Sequence, residues 1–153
     1  MSDYKNLHLD NQLCFALYSA THAVTRAYRE HLSKVGLTYP QYLVLLVLWQ
    51  QDKQTVKSLA DLLNLDSATL TPLLKRLANA GFITRERNAK DERVVNITLS
   101  DAGKSLKDTV NHIQQNVACE TGLTELEYVE LRSKLHHLLD TMRLGVHEQS
   151  AVA

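Results

Sequence analysis

The sequence predicts a mainly α-helical chain that carries one small β-hairpin. Within residues 65–77, apolar residues recur at i, i+3, i+4 and i+7, which is the pattern of one face of an amphipathic helix. A shorter helical stretch at residues 55–63 precedes it, and residues 83–99 follow as strand, charged loop and strand. A helix, a turn, a second helix and a hairpin in this order form a winged helix-turn-helix, an α+β fold in which the hairpin is the wing.

Length and composition favour a single domain over residues 1–153. Hydrophobic residues make up 44% of the 153 residues and charged residues 22%, as in ordinary soluble globular proteins. No apolar run is long enough to span a membrane, and the first residues lack the basic and apolar pattern of a signal peptide. We therefore expect a cytoplasmic protein.

Charge is unevenly distributed along the chain, although the formal net charge is zero. Residues 75–93 contain six basic and three acidic side chains, a net charge of +3. Residues 94–153 contain five basic and eight acidic side chains, a net charge of −3. Positive charge is thus concentrated on the second helix of the motif and on the hairpin, which favours nucleic-acid contact at these elements.

Two helices are expected upstream of the helix at residues 55–63. The first covers residues 7–34 with one apolar face, and Gly36 ends it. The second begins at a capping box in which Thr38 and Gln41 satisfy each other's backbone donors. Residues 39–50 are nearly all apolar, so this helix is expected to be buried on most sides.

The amphipathic helix that follows, which we call the reading helix, carries residues expected to contact DNA. Asp66 or Ser67 caps its start, because either side chain can accept a backbone N–H, and Gly81 ends it. Its polar face carries short hydroxyls and then cations, which suits a helix end in the major groove with phosphates beside it. Pro72 interrupts the hydrogen-bond pattern, and we expect one kinked helix rather than a start near Thr71. The alternative is a core-packing helix with an ordinary polar surface.

Two further helices follow the hairpin. Ser100 caps the fifth helix, which is expected to run to about residue 119. Thr124 and Glu127 form a second capping box at the start of a sixth helix over residues 125–143. The remaining tail is expected to be frayed.

The helices outside the winged unit indicate a homodimer. Residues 7–36 and 100–143 carry more apolar surface than the winged unit at residues 38–99 can cover. Pairing of two copies through these helices would bury that surface. It would also set two reading helices about one DNA turn apart, which matches a palindromic site.

The chain contains two cysteines, Cys14 and Cys119, whose spacing excludes a CxxC zinc or redox motif. Each can be interpreted as a small buried hydrophobe, and this interpretation stays open. Cys14 lies early in the first helix, where the helix dipole favours a thiolate. Tyr18 follows one turn later, whereas Tyr28 lies about 21 Å further along the helix axis. Across a dimer, Tyr28 and Tyr39 of a twin chain can approach Cys14, or these phenols simply form a dimer core.

Over residues 10–143 the chain resembles the MarR family of dimeric winged-helix regulators. The resemblance is carried by Asp91-Glu92-Arg93, the D-x-R motif of the family's wing, and by the strand and turn at residues 94–103. It implies that Arg93 enters the minor groove of the operator and that Asp91 braces the wing.

Within that family the chain resembles the organic hydroperoxide resistance repressors, through residues 13–18, 37–42 and 65–77. This resemblance implies that Cys14 is the peroxide-reactive thiol and that the two tyrosines of a partner subunit hydrogen-bond it. It also implies an intersubunit disulfide between Cys14 and Cys119. The reduced homodimer is then expected to bind palindromic double-stranded operator DNA, and oxidation by an organic hydroperoxide to release it.

The expected site residues fall into three groups. The redox-sensing group comprises Cys14, Cys119, Tyr28 and Tyr39. A peroxide pocket is expected at Phe15, Leu17, Tyr18 and Tyr42. DNA contacts are expected from Ser67, Ala68, Thr69, Thr71, Lys75, Arg76, Arg85, Lys90, Asp91 and Arg93. No cofactor, bound metal or enzymatic activity is expected.

Three alternative functions remain. The first is a MarR-type regulator that a phenolic or drug-like ligand releases from DNA, with inert cysteines. The second is a thiol peroxidase, against which the winged unit argues. The third is a metal sensor, although the histidine spacings form no recognised site.

Overall fold

The computed structural model describes residues 4–91 and 93–150, with the side chains described as far as residue 144. Glu92 of the wing motif and tail residues 151–153 lie outside the described residues. Within this part of the chain, six α-helices and a three-stranded antiparallel sheet confirm the predicted mainly helical winged fold. The elements are α1 Leu13–Leu32, α2 Tyr39–Gln50, β1 Gln54–Thr55, α3 Val56–Leu63, α4 Ser67–Asn79, β2 Ile83–Arg87, β3 Val95–Leu99, α5 Asp101–Glu120 and α6 Glu125–Ser150.

The first helix begins later than predicted. α1 starts at Leu13, and residues 5–11 form two 3-10 turns instead of an α-helix. The side chains of Asn11 and Gln12 explain this, because they donate to backbone carbonyls of the preceding turns and fold the segment on itself. At the other end, a third 3-10 turn leads into Gly36, whose φ of 74° ends the segment as expected.

α2 runs through the core of the unit that α1 to α4 and the sheet form. Its predicted capping box is present, with the Thr38 N–H donating to Gln41 Oε1 at 2.8 Å. The helix is buried on most sides, as its apolar sequence predicts. The fully buried side chains of this core come from α2 itself, from other elements of the unit and from α5, namely Leu32, Val44, Leu45, Leu48, Leu59, Leu70, Leu74, Leu77, Ile97 and Val110.

The helix-turn-helix consists of α3 and α4. α3 ends at Asn64, which adopts a left-handed conformation with φ of 52°. α4 then begins at Ser67 and continues without a break through Pro72 to Asn79. The prediction of one helix through the proline is therefore confirmed, and a start near Thr71 is wrong.

The sheet contains one strand that the sequence did not indicate. β1, which we expected to belong to a turn and the start of α3, pairs antiparallel with β3, and β3 lies between β1 and β2. In the hairpin, Ile83 faces Leu99 and Arg87 faces Val95, so the predicted hairpin is confirmed. A two-residue strand leaves no alternating pattern in a sequence, which is why β1 was missed.

The chain divides into two compact units at residues 117 and 118, within α5. The second unit contains the end of α5 and all of α6, which runs to Ser150 rather than ending at residue 143 as predicted. Gly145 costs a helix only about 1 kcal/mol and no proline follows it, so the helix continues. No helix among the described residues has the length and apolarity that a membrane span requires.

Apolar side chains are exposed along α6. Leu138 is half-buried, and none of the helix's described residues is fully buried. The exposed apolar residues of this helix are Leu126, Val129, Leu131, Leu135, Leu139, Met142 and Leu144.

Candidate DNA interface and thiol site

The reading helix is α4, and its start is fixed by Asp66. One carboxylate oxygen of Asp66 accepts the Thr69 N–H at 2.7 Å, and the other accepts the Thr69 hydroxyl at 2.9 Å. These bonds satisfy a backbone donor that the helix itself leaves open. They stabilise the charged carboxylate, so the backbone bond from Thr69 first, and its hydroxyl second, hold the pKa of Asp66 below its model-peptide value of 3.8.

The two sides of α4 differ sharply in burial. Leu70, Leu74 and Leu77 are fully buried against the core. The outward side begins with Ala68 and Pro72, and it continues with cations and polar groups that are all exposed. The expected DNA-contact residues of this helix are therefore on its free surface, with Thr71 half-buried at its flank.

The helix accommodates Pro72 by adding one side-chain bond. Proline has no N–H, so the Ala68 carbonyl loses its helical donor. One residue earlier, the Thr71 hydroxyl donates to the Ser67 carbonyl at 2.7 Å. This bond adds a contact between the first and second turns next to the missing one.

The wing tip is ordered by a chain of short-range hydrogen bonds. Asn88 N–H donates to the Val94 carbonyl at 2.8 Å, and Lys90 N–H donates to Asn88 Oδ1 at 2.8 Å. Asp91 Oδ1 accepts the Arg93 N–H at 3.0 Å and lies 3.6 Å from Arg93 Nε. The Arg93 side chain is 95% exposed. Asp91 therefore holds the backbone and the base of the Arg93 side chain, while the guanidinium is exposed to solvent.

Arg85 is held differently from the other basic residues of the hairpin. It lies on β2 directly opposite Ile97, whose side chain is fully buried. The Arg85 side chain is half-buried, and its Nε is buried with no hydrogen-bond partner among the described residues. A buried donor without an acceptor is costly, so this group favours an incoming anion.

The start of α5 and the end of β3 are each bonded to the end of α2, through two pairs of residues that the sequence did not indicate. The Trp49 indole N–H on α2 donates to the Gly103 carbonyl at 2.9 Å. Asp52, just after α2, accepts the Leu99 N–H at 2.9 Å. A Cβ built on Gly103 would lie 2.1 Å from the carbonyl oxygen of Phe82, so only glycine fits here. The one available signal was the single tryptophan, because a buried indole N–H usually finds an acceptor.

A cavity of about 180 Å³ lies between α2 and α5. Its accessible wall is largely apolar, and polar side chains from both helices also line it. Tyr42, expected in the peroxide pocket, lines this cavity. The lining residues are Tyr42, Leu46, Trp49, Gln50, Lys107, Val110, Asn111 and Gln114.

Both cysteines carry free, exposed thiols. Cys14 is the second residue of α1, which agrees with its expected place near the positive end of the helix dipole. Cys119 is the last residue but one of α5 and belongs to the second unit. The interpretation of each cysteine as a buried core residue is therefore wrong for the single chain.

The residues around Cys14 are only partly sheltered in the single chain. Phe15 and Tyr18 are exposed, and the Tyr18 ring lies edge-on to His22 with the centroids 4.3 Å apart. Leu17 is half-buried. Tyr42, the fourth residue expected in the peroxide pocket, is buried on α2, and a pocket at these four residues stays a prediction.

Three tyrosines instead form one cluster between α1 and α2. The ring centroids of Tyr28 lie 5.2 Å from those of both Tyr39 and Tyr42, and Tyr39 lies 5.8 Å from Tyr42. Tyr28 and Cys14 stand fourteen residues apart on the same helix, so they cannot pair within one chain. In the part of the chain that the structure describes, no three His, Cys, Asp or Glu side chains lie together in a way that could hold a metal ion.

Known proteins similar to this chain are DNA-binding regulators. The family model of the transcriptional regulators SarA/Rot matches residues 26–110. The HTH-type transcriptional regulator TtmR of Methylorubrum extorquens is 48% identical over 142 residues, covering 93% of this chain and 71% of TtmR. The organic hydroperoxide resistance transcriptional regulator of Bacillus subtilis is 41% identical over 139 residues, covering 91% of this chain and 95% of the relative.

Among solved structures, the chain is similar to AbfR of Staphylococcus epidermidis in several states. Reduced AbfR bound to DNA has a TM-score of 0.79 and 35% identity, with 94% of this chain and 98% of that chain covered. Overoxidised AbfR bound to DNA has a TM-score of 0.66 and 40% identity, with 85% and 95% covered. Disulfide-formed AbfR has a TM-score of 0.66 and 37% identity, with 91% and 92% covered.

Proposed function

Because this chain belongs to the MarR family of winged-helix transcriptional regulators, we propose that it is a redox-sensing repressor. As a reduced homodimer it binds palindromic operator DNA, and an organic hydroperoxide releases it by oxidising Cys14. The observation that carries the proposal is the free, exposed Cys14 thiol in the first turn of α1. The likeness to the Bacillus subtilis organic hydroperoxide resistance regulator supports the choice of oxidant.

DNA binding is assigned to α4 and the wing. α4 presents an exposed polar and cationic side, and the wing presents Arg93 with Asp91 behind it. The unpartnered Nε of Arg85 is suited to a phosphate oxygen, since a guanidinium binds phosphate with several donors. AbfR, which the chain resembles over nearly its whole length, is bound to DNA in its reduced state.

The homodimer is assigned to α1, α5 and α6. Exposed large apolar residues recur along α6, and others lie at the start of α1, including Leu13 and Phe15. Exposed large apolar side chains of this kind are typical of a protein–protein interface. In the dimer, Tyr28 and Tyr39 of the partner subunit would donate to the Cys14 sulfur and favour its thiolate.

The proposed chemistry has two steps. The Cys14 thiolate attacks one peroxide oxygen, the O–O bond breaks, and the alkoxide takes a proton and leaves as an alcohol. The sulfur is oxidised to sulfenic acid while the peroxide is reduced. Cys119 of the partner subunit, as thiolate, then attacks that sulfur, so that an S–S bond forms and hydroxide leaves as water.

Release is assigned to the disulfide. A disulfide requires the two Cα atoms to lie about 4.4–6.8 Å apart, so the bond fixes α5 relative to the partner's α1. The start of α5 is bonded to α2 through Gly103 and to the residues that follow α4 through Ser100, whose N–H donates to the Phe82 carbonyl and whose hydroxyl donates to the Gly81 carbonyl. Movement of α5 would therefore displace the reading helix. Overoxidised AbfR is bound to DNA, which supports assigning release to the crosslink rather than to oxidation alone.

The test uses a duplex selected from a random pool by the reduced protein. Its binding is measured by fluorescence anisotropy before and after one equivalent of cumene hydroperoxide, with non-reducing gels of the same samples. We expect loss of binding together with a crosslinked dimer, and recovery of binding with dithiothreitol. Cys14→Ser should bind and ignore the peroxide, and Cys119→Ser should react but form no crosslinked dimer. Release of Cys14→Ser by peroxide would contradict the assignment of the sensor.

The cavity between α2 and α5 favours a second candidate function, a regulator released by a phenolic ligand. Tyr42 and Trp49 are the aromatic residues of its wall, and Lys107 is the cationic one. Salicylate is a suitable probe, because it combines a phenol with a carboxylate. Release of DNA by salicylate from Cys14→Ser, without oxidant, would favour this candidate over the redox switch.

A further inference from the structure

The start of the reading helix presents few hydrogen-bond donors, which has a consequence for the base pairs it can select. Ala68 and Pro72 occupy the outward side of the first two turns of α4, and both are exposed. Neither side chain carries a donor or an acceptor. In a major groove, such groups make apolar contacts, and the group that accepts them there is the C5 methyl of thymine.

The two threonines beside them have already used their hydroxyl protons. The Thr69 hydroxyl donates to Asp66 Oδ2 at 2.9 Å, and the Thr71 hydroxyl donates to the Ser67 carbonyl at 2.7 Å. A hydroxyl has one proton and two lone pairs, so both oxygens are left as acceptors. An acceptor pairs with an amino group, which adenine N6 or cytosine N4 presents in the major groove.

Guanine finds one short donor at the start of this helix, the exposed Ser67 hydroxyl. Its major-groove edge offers only the acceptors N7 and O6, which require donors such as arginine or lysine. Lys75 and Arg76 lie in the third turn of α4. The N-terminal residues of a reading helix contact the bases, so these later cations are placed to contact phosphates.

We propose that α4 selects A·T base pairs at the centre of each operator half-site, through thymine methyl groups against Ala68 and Pro72 and through adenine amino groups against Thr69 and Thr71. The inference rests on the proposed DNA-binding function and specifies which base edges it reads. Thymine is distinguished from cytosine by its methyl group, and adenine from guanine by its amino group.

The experiment starts from duplexes selected from a random pool by the reduced wild-type protein. A·T pairs are expected at the central positions of each half-site. Each thymine there is then replaced singly by deoxyuridine, which removes the methyl group and keeps the pairing. At the contacted thymines, we expect Kd to rise about fourfold, the effect of one buried methyl group.

Protein variants assign the effect to residues. Ala68→Gly should bind thymine and deoxyuridine duplexes equally at one position, and Pro72→Ala should reduce the difference at another. Circular dichroism establishes that each variant keeps its helix content. Ser67→Ala tests the competing explanation, because Ser67 carries the first turn's remaining hydroxyl; it should weaken binding to every duplex about equally and leave the preference for A·T unchanged. Asn79→Ala, at the exposed last position of α4, is the matched control and should leave both affinity and preference unchanged.

The outcomes separate this inference from the proposed function. Selected sites with guanine at the central positions, or deoxyuridine binding as tightly as thymine throughout, would overturn the inference while DNA binding stands. Loss of the A·T preference in Ser67→Ala would also overturn it, since a donor would then read the bases. A wild-type protein that selects no sequence would remove both the inference and the proposed function.

Discussion

The indole N–H of Trp49 donates to the backbone carbonyl of Gly103 at 2.9 Å, across 54 positions of the sequence. Trp49 lies near the end of α2, and Gly103 lies in the first turn of α5. The N–H of the same glycine donates to the Ser100 hydroxyl at 3.0 Å. The start of α5 is therefore held from two sides, by the core helix and by its own cap.

Replacement of Trp49 by phenylalanine should lower the free energy of unfolding by about 1–2 kcal/mol. The change removes one hydrogen bond and part of a half-buried ring. Urea unfolding followed by far-ultraviolet circular dichroism measures this. Gln50→Ala, at the exposed neighbouring position, is the control and should unfold as the wild type does. Equal stability of Trp49→Phe and wild type would show that the indole bond contributes little.

Gly103→Ala should destabilise the protein by about 2 kcal/mol or more, because its Cβ would overlap the Phe82 carbonyl oxygen. Gly81→Ala is the informative comparison. Gly81 has a φ of 81° and nothing within 4 Å of an added Cβ, so alanine there suffers only conformational strain, about 1 kcal/mol. Thermal unfolding of both variants distinguishes packing from backbone strain. A smaller effect at Gly103 than at Gly81 would contradict the close contact.

The cap of the reading helix should depend on pH through Asp66. Its pKa is lowered in the folded protein, chiefly by the Thr69 backbone N–H, so the charged cap stabilises the fold fully above the unfolded pKa near 3.8. That contribution is lost as pH falls through the lowered folded value. The difference in melting temperature between wild type and Asp66→Ala should therefore shrink below about pH 4.

A carboxyl titration by NMR provides the direct measurement. The Asp66 pKa should lie below 3.8, and Thr69→Val, which keeps the N–H but removes the hydroxyl, should raise it only part of the way. A value at or above 3.8 in the wild type would contradict the cap geometry.

Tyr39→Phe should slow oxidation of Cys14 by about tenfold while leaving DNA binding intact. In the proposed dimer, its phenol donates to the Cys14 thiolate of the partner, and a bond to a charged group contributes about 1.5 kcal/mol or more. Thiol loss with cumene hydroperoxide is followed in a Cys119→Ser background, so that only the first step is measured. Tyr18→Phe keeps an exposed ring beside His22 and should react as the parent does. Equal oxidation rates for the Cys119→Ser parent, Tyr39→Phe and Tyr18→Phe would contradict a hydrogen bond from Tyr39 to the Cys14 thiolate.

Arg93→Ala should weaken operator binding and reduce the slope of log K against log salt by about one. The Arg93 side chain is 95% exposed and braced by Asp91, so its removal leaves the rest of the wing in place. Lys104→Ala, which removes an exposed cation close to Asp101 at the start of α5, serves as the charge-matched control. If both variants change the slope equally, the effect is general electrostatics rather than a wing contact.

The sequence predicted those features that depend on short-range chemistry. The capping boxes at Thr38 and Thr124, the Asp66 cap and the hairpin over residues 83–99 each follow from a few neighbouring residues. The exposed polar side of α4 follows from the spacing of the leucines on its opposite, buried side. One helix through Pro72 was expected from the residues themselves, and α4 is continuous there.

What the sequence did not predict depends on distant partners or on marginal local energies. The Trp49–Gly103 and Asp52–Leu99 bonds join residues about fifty positions apart, and no local pattern marks such pairs. β1 exists only because β3 offers an edge for two residues to pair with. The start of α1 was missed because side-chain bonds compete with helix formation there.

Trp49 is the only tryptophan in the chain, and it stands where α2 meets the start of α5. Its emission therefore reports on one place in the molecule without any attached dye. Mixing the protein with peroxide in a stopped-flow fluorimeter would give the rate at which the surroundings of Trp49 change after oxidation begins. Samples quenched at the same times would give the rate of thiol loss. The delay between thiol loss and the fluorescence change would then measure how long the structural change takes after Cys14 is oxidised.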